Sequence, residues 1–206
     1  MLCPSQPSFR TTVHAVILAG GRGKRLGGVS KADIMLSGRR VLDIVLEAAA
    51  AVADGRMIVV APDSVVVPDT VTRTLEDPPA GGPVAGIGAG IAELEDAPPC
   101  DLVLILAVDT PGAVCFVSDL VEATSRSGLD GAVVVGGAPE PFIQRLQACY
   151  RLGALRRALA LVPPHGCSVH RALGVLKVAA VHTAPEFSQD IDTWQDVVDW
   201  HGRVQP

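Results

Sequence analysis

VHAVILAGGRGKRLGGVSK, residues Val13 to Lys31, carries an apolar strand straight into a glycine-rich loop bearing Arg22, Lys24, Arg25 and Lys31. A strand that ends in Gly20 and Gly21 removes the side chains that would keep backbone N–H groups away from a base or a phosphate, and it permits positive φ where the chain must turn. The cations that follow can neutralise a polyphosphate. No G-K-[ST] ends the loop, so it is not a Walker loop, and its glycine spacing does not fit the dinucleotide fingerprint G-x-G-x-x-G. Another kind of nucleotide grip is implied.

Working outward, short apolar runs alternate with helical segments. Val13–Leu18, Met57–Ala61, Leu102–Val108, Ala132–Val135, Leu146–Tyr150 and Leu176–His182 read as strands, with a weaker one over Val71–Leu75. Val41–Ala53, Val84–Leu94, Val117–Ser125, Leu152–Leu161 and Thr193–Trp200 read as helices. Continuous apolar strands separated by helices predict an α/β fold: one doubly wound, mostly parallel sheet with helices on both faces. The clusters at Pro78–Pro83, Gly136–Pro141 and Val162–Gly166 read as loops within that single domain. Ligands of open α/β sheets lie beyond the carboxyl ends of the strands, where strand order reverses. The Gly20 loop, Asp77 and Asp109 all follow strands and are expected to converge there.

At 206 residues the chain can bury one sizeable core, and 49% hydrophobic with 3% aromatic residues predicts an interior of Val, Leu and Ala. A formal charge of −5 argues against general nucleic-acid binding, although a local basic loop can still hold a nucleotide. No apolar run reaches the roughly 18 residues of a membrane span. Residues 1–12 lack the apolar centre of a secretory signal and are expected to be a loose extension before a domain over residues 13–206, in a cytoplasmic setting. The five cysteines have no CxxC spacing and are expected to be free thiols.

Further motifs follow in order: LEDPPAGGPVAGI at Leu75–Ile87, LAVDTP at Leu106–Pro111 and DIDTWQD at Asp190–Asp196. Together with LAGGRGKRLGGVSK they resemble nucleotidyltransferases that activate small molecules with an NTP, whose signature is LAGG-x-x-x-R-[ML]-G-G-x-D-K. Within that superfamily they are similar to the molybdenum cofactor guanylyltransferases, from about Val13 to Trp200. The resemblance implies a Rossmann-like nucleotidyltransferase fold and Mg²⁺-dependent transfer of GMP from GTP to a molybdopterin-type acceptor. Molybdoenzymes or their chaperones are implied as further partners. Leu18, Ala19, Gly20, Gly21, Lys31, Asp77 and Asp109 are implied to contact the nucleotide, and Asp109 with Asp192 to hold the metal.

Each residue also has a plainer reading. Lys31 beside the reacting phosphorus would stabilise accumulating charge, and Arg25 offers a bidentate fork for the triphosphate; as loop cations, both could simply be solvated. Arg22 and Lys24 stay open between those readings. Asp109 ends the run LVLILAVD, where a carboxylate suits Mg²⁺ with phosphate and water, or starts a turn. Asp77 could form a turn before two prolines, and Asp192 could cap the helix that follows. Asp190 could add a carboxylate to the metal site. His165, Cys167 and His170 lack a zinc spacing and read as a loop leading into a Val169–Leu173 helix.

The chain departs from the family pattern at Ser30, where an aspartate is usual, and at Ala61, where guanylyltransferases often carry asparagine. Asp190 and Asp192 stand where the nearest branch often has asparagines. These changes bear on substrate more than on chemistry. LAGG points to guanine over cytosine, since related cytidylyltransferases read LAAG and a methyl at Gly21 would narrow the base pocket. Cytidylyl- and sugar-phosphate nucleotidyltransferases use the same chemistry. A catalytically weak nucleotide-binding or cofactor-handover protein would need the same loop.

Overall fold

The computed structural model describes residues 11–201 and Arg203, the side chains of Arg22 and Lys24 excepted. The extension expected over residues 1–12 therefore lies outside the described residues up to Arg10. Thr12 is already tied in, its N–H donating to Asp101 Oδ1 at 3.1 Å.

Seven strands form one sheet: β1 Val13–Leu18, β2 Met57–Val60, β3 Thr72–Thr74, β4 Leu102–Ala107, β5 Gly131–Gly136, β6 Phe142–Arg151 and β7 Val178–His182. Their spatial order is β7-β5-β6-β4-β1-β2-β3. All neighbours run parallel except β6, which is antiparallel to both β4 and β5. The expected doubly wound, mostly parallel sheet is the observed one. Strand β6 begins at Phe142, earlier than the expected Leu146, and its register against β5 shifts between Gln144 and Ala148. Gln144 and Gln147 break the apolar run there, which hid the first half of the strand.

The helices are α1 Val41–Ala50, α2 Pro83–Ala92, α3 Val117–Ser127, α4 Leu152–Leu159, α5 Val169–Leu173 and α6 Trp194–His201. Alternation along β1 sends Ala15 and Ile17 to a core built with α1, α3 and α6, and Val16 to a core built with α2, α4 and α5. Both faces are thus covered, as continuous apolar strands require. Helix α2 starts with Pro83 after Gly82, where a missing N–H costs nothing. It packs close to the sheet because Gly90 faces Val16: a Cβ there would lie 2.4 Å from Val16 Cγ1. Helix α3 ends at Gly128 in the left-handed region, φ 64°.

The loop after β1 is more structured than the sequence suggested. Arg22–Gly23 pairs with Val29–Ser30 around a 3₁₀ turn over Lys24–Leu26, with Leu26 buried beneath it. The positive φ expected at Gly20 and Gly21 occurs instead at Gly27 and Gly28, 77° and 83°, where this small hairpin reverses. A second hairpin, Met35–Leu36 with Arg39–Arg40, precedes α1.

Among the described residues, Cys100, Cys115, Cys149 and Cys167 are free thiols, and burial pushes that of Cys149 up to about 12. Cys3 lies outside them. No helix among the described residues is long and apolar enough to cross a membrane.

Candidate active site

Strand order reverses on either side of β1, and the loops leaving β1, β3 and β4 meet at the carboxyl end of the sheet. They enclose a cavity of about 340 Å³ walled by Leu18, Gly20, Gly21, Lys31, Val60, Glu76, Ala80, Gly82, Gly86 and Asp109, among others. A Cβ added to Gly20 or Gly21 would meet nothing within 4 Å, so both glycines face open space. Ala19 lies just behind the wall, its N–H donating to the Val60 carbonyl at 2.9 Å.

Lys31 is the centre of this arrangement. Its Nζ donates to Asp109 Oδ2 at 2.7 Å and to Asp192 Oδ1 at 2.5 Å. The Lys31 and Asp109 side chains are only 13% and 21% exposed, whereas Asp192 is 52% exposed. Burial by itself would depress the Lys31 pKa, but the charge and hydrogen bond of Asp109, joined by those of Asp192, outweigh it and hold the pKa above its ordinary 10.5. The ammonium therefore stays charged throughout the neutral range.

Three local devices bring the acidic loop to Lys31. The Ile191 N–H donates to the Asp109 carbonyl at 2.8 Å, and the Ile191 side chain is buried in the core. Thr193 and Asp196 form a reciprocal cap at the start of α6: Asp196 Oδ2 accepts from the N–H groups of Asp192 and Thr193, while Thr193 Oγ1 accepts from the Asp196 N–H. At the far end of α6, Ser37 donates its N–H to His201 Nδ1 and its hydroxyl to the His201 carbonyl. Asp192, read from sequence as a possible cap, is thereby free of that duty and turned to Lys31.

Arg25 is 75% exposed, 3.6 Å from Asp192 Oδ2 and outside the cavity wall. Asp77 is also exposed and outside the wall; the residue before it, Glu76, stands in the wall instead. Ala61, where an asparagine would have offered a polar contact, is buried, with its N–H donating to the Thr74 carbonyl. Ser30, in place of the usual aspartate, has a buried Oγ without a hydrogen-bond partner among the described residues.

Sequence reasoning missed a buried relay beneath Asp109. Gln147 Nε2 donates to Thr110 Oγ1 at 2.6 Å, and Thr110 Oγ1 donates to Asp190 Oδ1 at 2.9 Å. Asp190 is exposed as a residue, yet its carboxyl is turned into protein; desolvation there, reinforced by the charge of Asp109, pushes its pKa up to about 6. A glutamine inside the otherwise apolar stretch LQACY was the available signal. A second cavity of about 380 Å³ adjoins the first, sharing Ala107, Asp109 and Leu146, and is lined further by Gln144, Arg145, His170 and Asp190. His165 and Cys167 line neither cavity.

Among the described residues, no group of three or more His, Cys, Asp or Glu side chains is placed to hold a metal ion. The donors at hand are the oxygens of Asp109 and Asp192, which already converge on one cation, the Lys31 ammonium. Hard oxygen donors of this kind suit a divalent ion whose remaining ligands come from phosphate and water.

The fold and this glycine-walled cavity define a nucleotidyltransferase. The chain belongs to the MobA-like NTP transferase domain family, whose model matches residues 15–173. It is similar to the molybdenum cofactor guanylyltransferase of Acidiphilium cryptum (strain JF-5), with 41% identity over 107 residues, 49% of this chain and 52% of that protein. The matched stretch thus spans about half the length of that curated relative. The fold is shared with molybdopterin-guanine dinucleotide biosynthesis protein A of Archaeoglobus fulgidus: TM-score 0.65, 19% identity, covering 92% of this chain and 97% of that one. It is shared equally with 2-C-methyl-D-erythritol 4-phosphate cytidylyltransferase of Thermus thermophilus: TM-score 0.67, 21% identity, covering 95% of this chain and 100% of that one.

Proposed function

We propose that this chain transfers GMP from GTP to a molybdopterin-type acceptor in molybdenum cofactor synthesis, releasing pyrophosphate. The observation that carries this reading is the half-buried Lys31 ammonium, held between Asp109 and Asp192 at the edge of a glycine-walled cavity of nucleotide size. The guanylyl branch is favoured by Gly20, rather than by Gly21 as expected from the sequence: the alanine of LAAG falls on Gly20, which faces open cavity where a methyl would intrude, and the chain is similar to a guanylyltransferase.

In this scheme the Gly20 loop and Glu76–Gly82 take the nucleoside. The acceptor enters the second cavity, where Arg145 supplies a guanidinium for its phosphate. An acceptor phosphate oxygen attacks the α-phosphorus as the bond to the bridging oxygen breaks and pyrophosphate leaves. Lys31, already fixed and charged, stabilises the negative charge on the oxygens around phosphorus without transferring a proton. Asp109 and Asp192 would hold Mg²⁺, which when bound offsets charge on the triphosphate. Arg25, exposed beside Asp192, would need to swing inward to meet a phosphate. A cytoplasmic setting, with molybdoenzymes or their chaperones receiving the product, fits this role.

Calorimetric titration tests the nucleotide. GTP with Mg²⁺ is expected to bind more tightly than CTP, and Gly20→Ala, which installs the alanine of LAAG, to weaken GTP more than CTP. Equal or tighter CTP binding by the native chain would refute the guanylyl reading.

A further inference from the structure

The segment Val162–Gly166, VPPHG, lies between α4 and α5, outside both cavities, yet it grips the loop that walls the first one. His165 Nε2 is 3.2 Å from the Asp77 carbonyl oxygen, an acceptor only, so this nitrogen carries the hydrogen and donates it. The next residue repeats the contact at the other end of the loop, the Gly166 N–H donating to the Gly81 carbonyl at 3.0 Å. Between these ends the His165 ring lies against the Gly81 backbone, where a Cβ would stand 2.3 Å from Nδ1. Gly81 therefore has to be glycine for the ring to seat.

The loop so held is one that would not keep its shape alone. Ala80 sits at φ 67° and Gly82 at φ 93°. A side-chain-bearing residue in the left-handed region is disfavoured and persists where surrounding contacts over-determine it. Ala80 and Gly82 are both cavity wall, with Glu76 just before the gripped stretch.

We propose that His165 is a positioning residue for nucleotide binding: by stapling Asp77 to Gly81 it holds the Ala80–Gly82 wall in its binding shape without itself touching the ligand. The inference rests on the reading of this cavity as the nucleotide site. It gives a role to a histidine whose sequence context suggested only a loop.

The test is calorimetry with GTP and Mg²⁺ on the full chain, paired with thermal melts and amide exchange over residues 77–82. His165→Ala should weaken binding about tenfold, the effect of losing one well-placed hydrogen bond. Exchange in the loop should quicken while the melting midpoint stays near that of the native chain. His165→Gln, which keeps an N–H donor at similar reach, should recover part of the affinity. Gly81→Ala should reproduce the defect by displacing the ring, and the double variant should be no weaker than His165→Ala alone. Native affinity in His165→Ala, or a loss that Gln does not relieve and that tracks a fallen melting midpoint, would overturn the staple alone. A native chain that binds no nucleotide would overturn the staple and the site reading together.

Discussion

Replacing Lys31 with alanine removes a cation on which Asp109 and Asp192 both close, at 2.7 and 2.5 Å. Losing a preorganised donor to transition-state charge costs about a hundredfold to a thousandfold in turnover, roughly 2.7–4 kcal/mol. Two features of the site argue for the lower end. The ammonium retains some contact with solvent at 13% exposure, and two carboxylates already draw on its field. Lys31→Ala should therefore lose about a hundredfold in turnover at saturating nucleotide, while GTP binding stays measurable. Lys31→Arg keeps the charge but replaces the compact ammonium with a planar guanidinium, and should recover part of the rate. Because the Lys31 pKa is raised above 10.5, its charge is constant below that value and it should leave no inflection in the rate between about pH 6 and pH 9. Pyrophosphate release gives the rate, circular dichroism the fold, and calorimetry the affinity. Near-native turnover by a folded Lys31→Ala protein would refute the argument.

Asp109→Asn keeps shape but not charge; transfer should fall strongly and the remaining activity should need more Mg²⁺, as a magnesium titration of the rate would show. Asp196→Ala removes the reciprocal cap of α6 and should cost about 1 kcal/mol, a melting shift of about 2–4 °C. Burial opposes the charge of Asp196, but the N–H of Asp192 and the hydroxyl and N–H of Thr193 outweigh it and hold its pKa below 3.8. A depressed carboxylate contributes stability above the unfolded value, so the native-to-variant difference should be constant at neutral pH and shrink as pH falls below 3.8, read by melts across pH. On α2, Gly90→Ala drives a Cβ to 2.4 Å from the buried Val16 and should destabilise by about 1–2 kcal/mol net of helix propensity. Gly88→Ala on the same helix meets nothing within 4 Å and should stabilise by about 0.5–1 kcal/mol, so equal effects in denaturant melts would contradict the packing account.

The sheet was legible because β4 is a continuous apolar run and β1 is one but for His14, and both are buried on both faces. Gly20, Gly21 and Asp109 could be placed for a related reason: each follows a strand whose end can be read, and strand ends meet; Lys31, well past the end of β1, was singled out instead by the glycine loop and by the resemblance to the family signature. What escaped the sequence was direction and register. Glu76 and Asp77 are adjacent and both acidic, and only the backbone path after β3 turns the first into the wall and the second out of it. Arg25 lies on a hairpin whose turn at Gly27 and Gly28 leaves it outward. The Gln147–Thr110–Asp190 relay joins residues up to 80 positions apart. The buried His14 reaches further, accepting from the Arg56 N–H through Nδ1 and facing Asp101, 87 positions away, through Nε2 at 3.3 Å. No local pattern marks such partners before the strands are in place.

The central claim is transfer of GMP to a molybdopterin-type acceptor, and the most direct measurement is pyrophosphate release by the native chain from GTP, CTP, ATP and UTP, each with and without molybdenum-bearing molybdopterin. Release from GTP, dependent on the acceptor and on Mg²⁺ and well above that from the other three, is the predicted result. Release from CTP at a rate equal to or above that from GTP, or none from any nucleotide with the acceptor present, would contradict it.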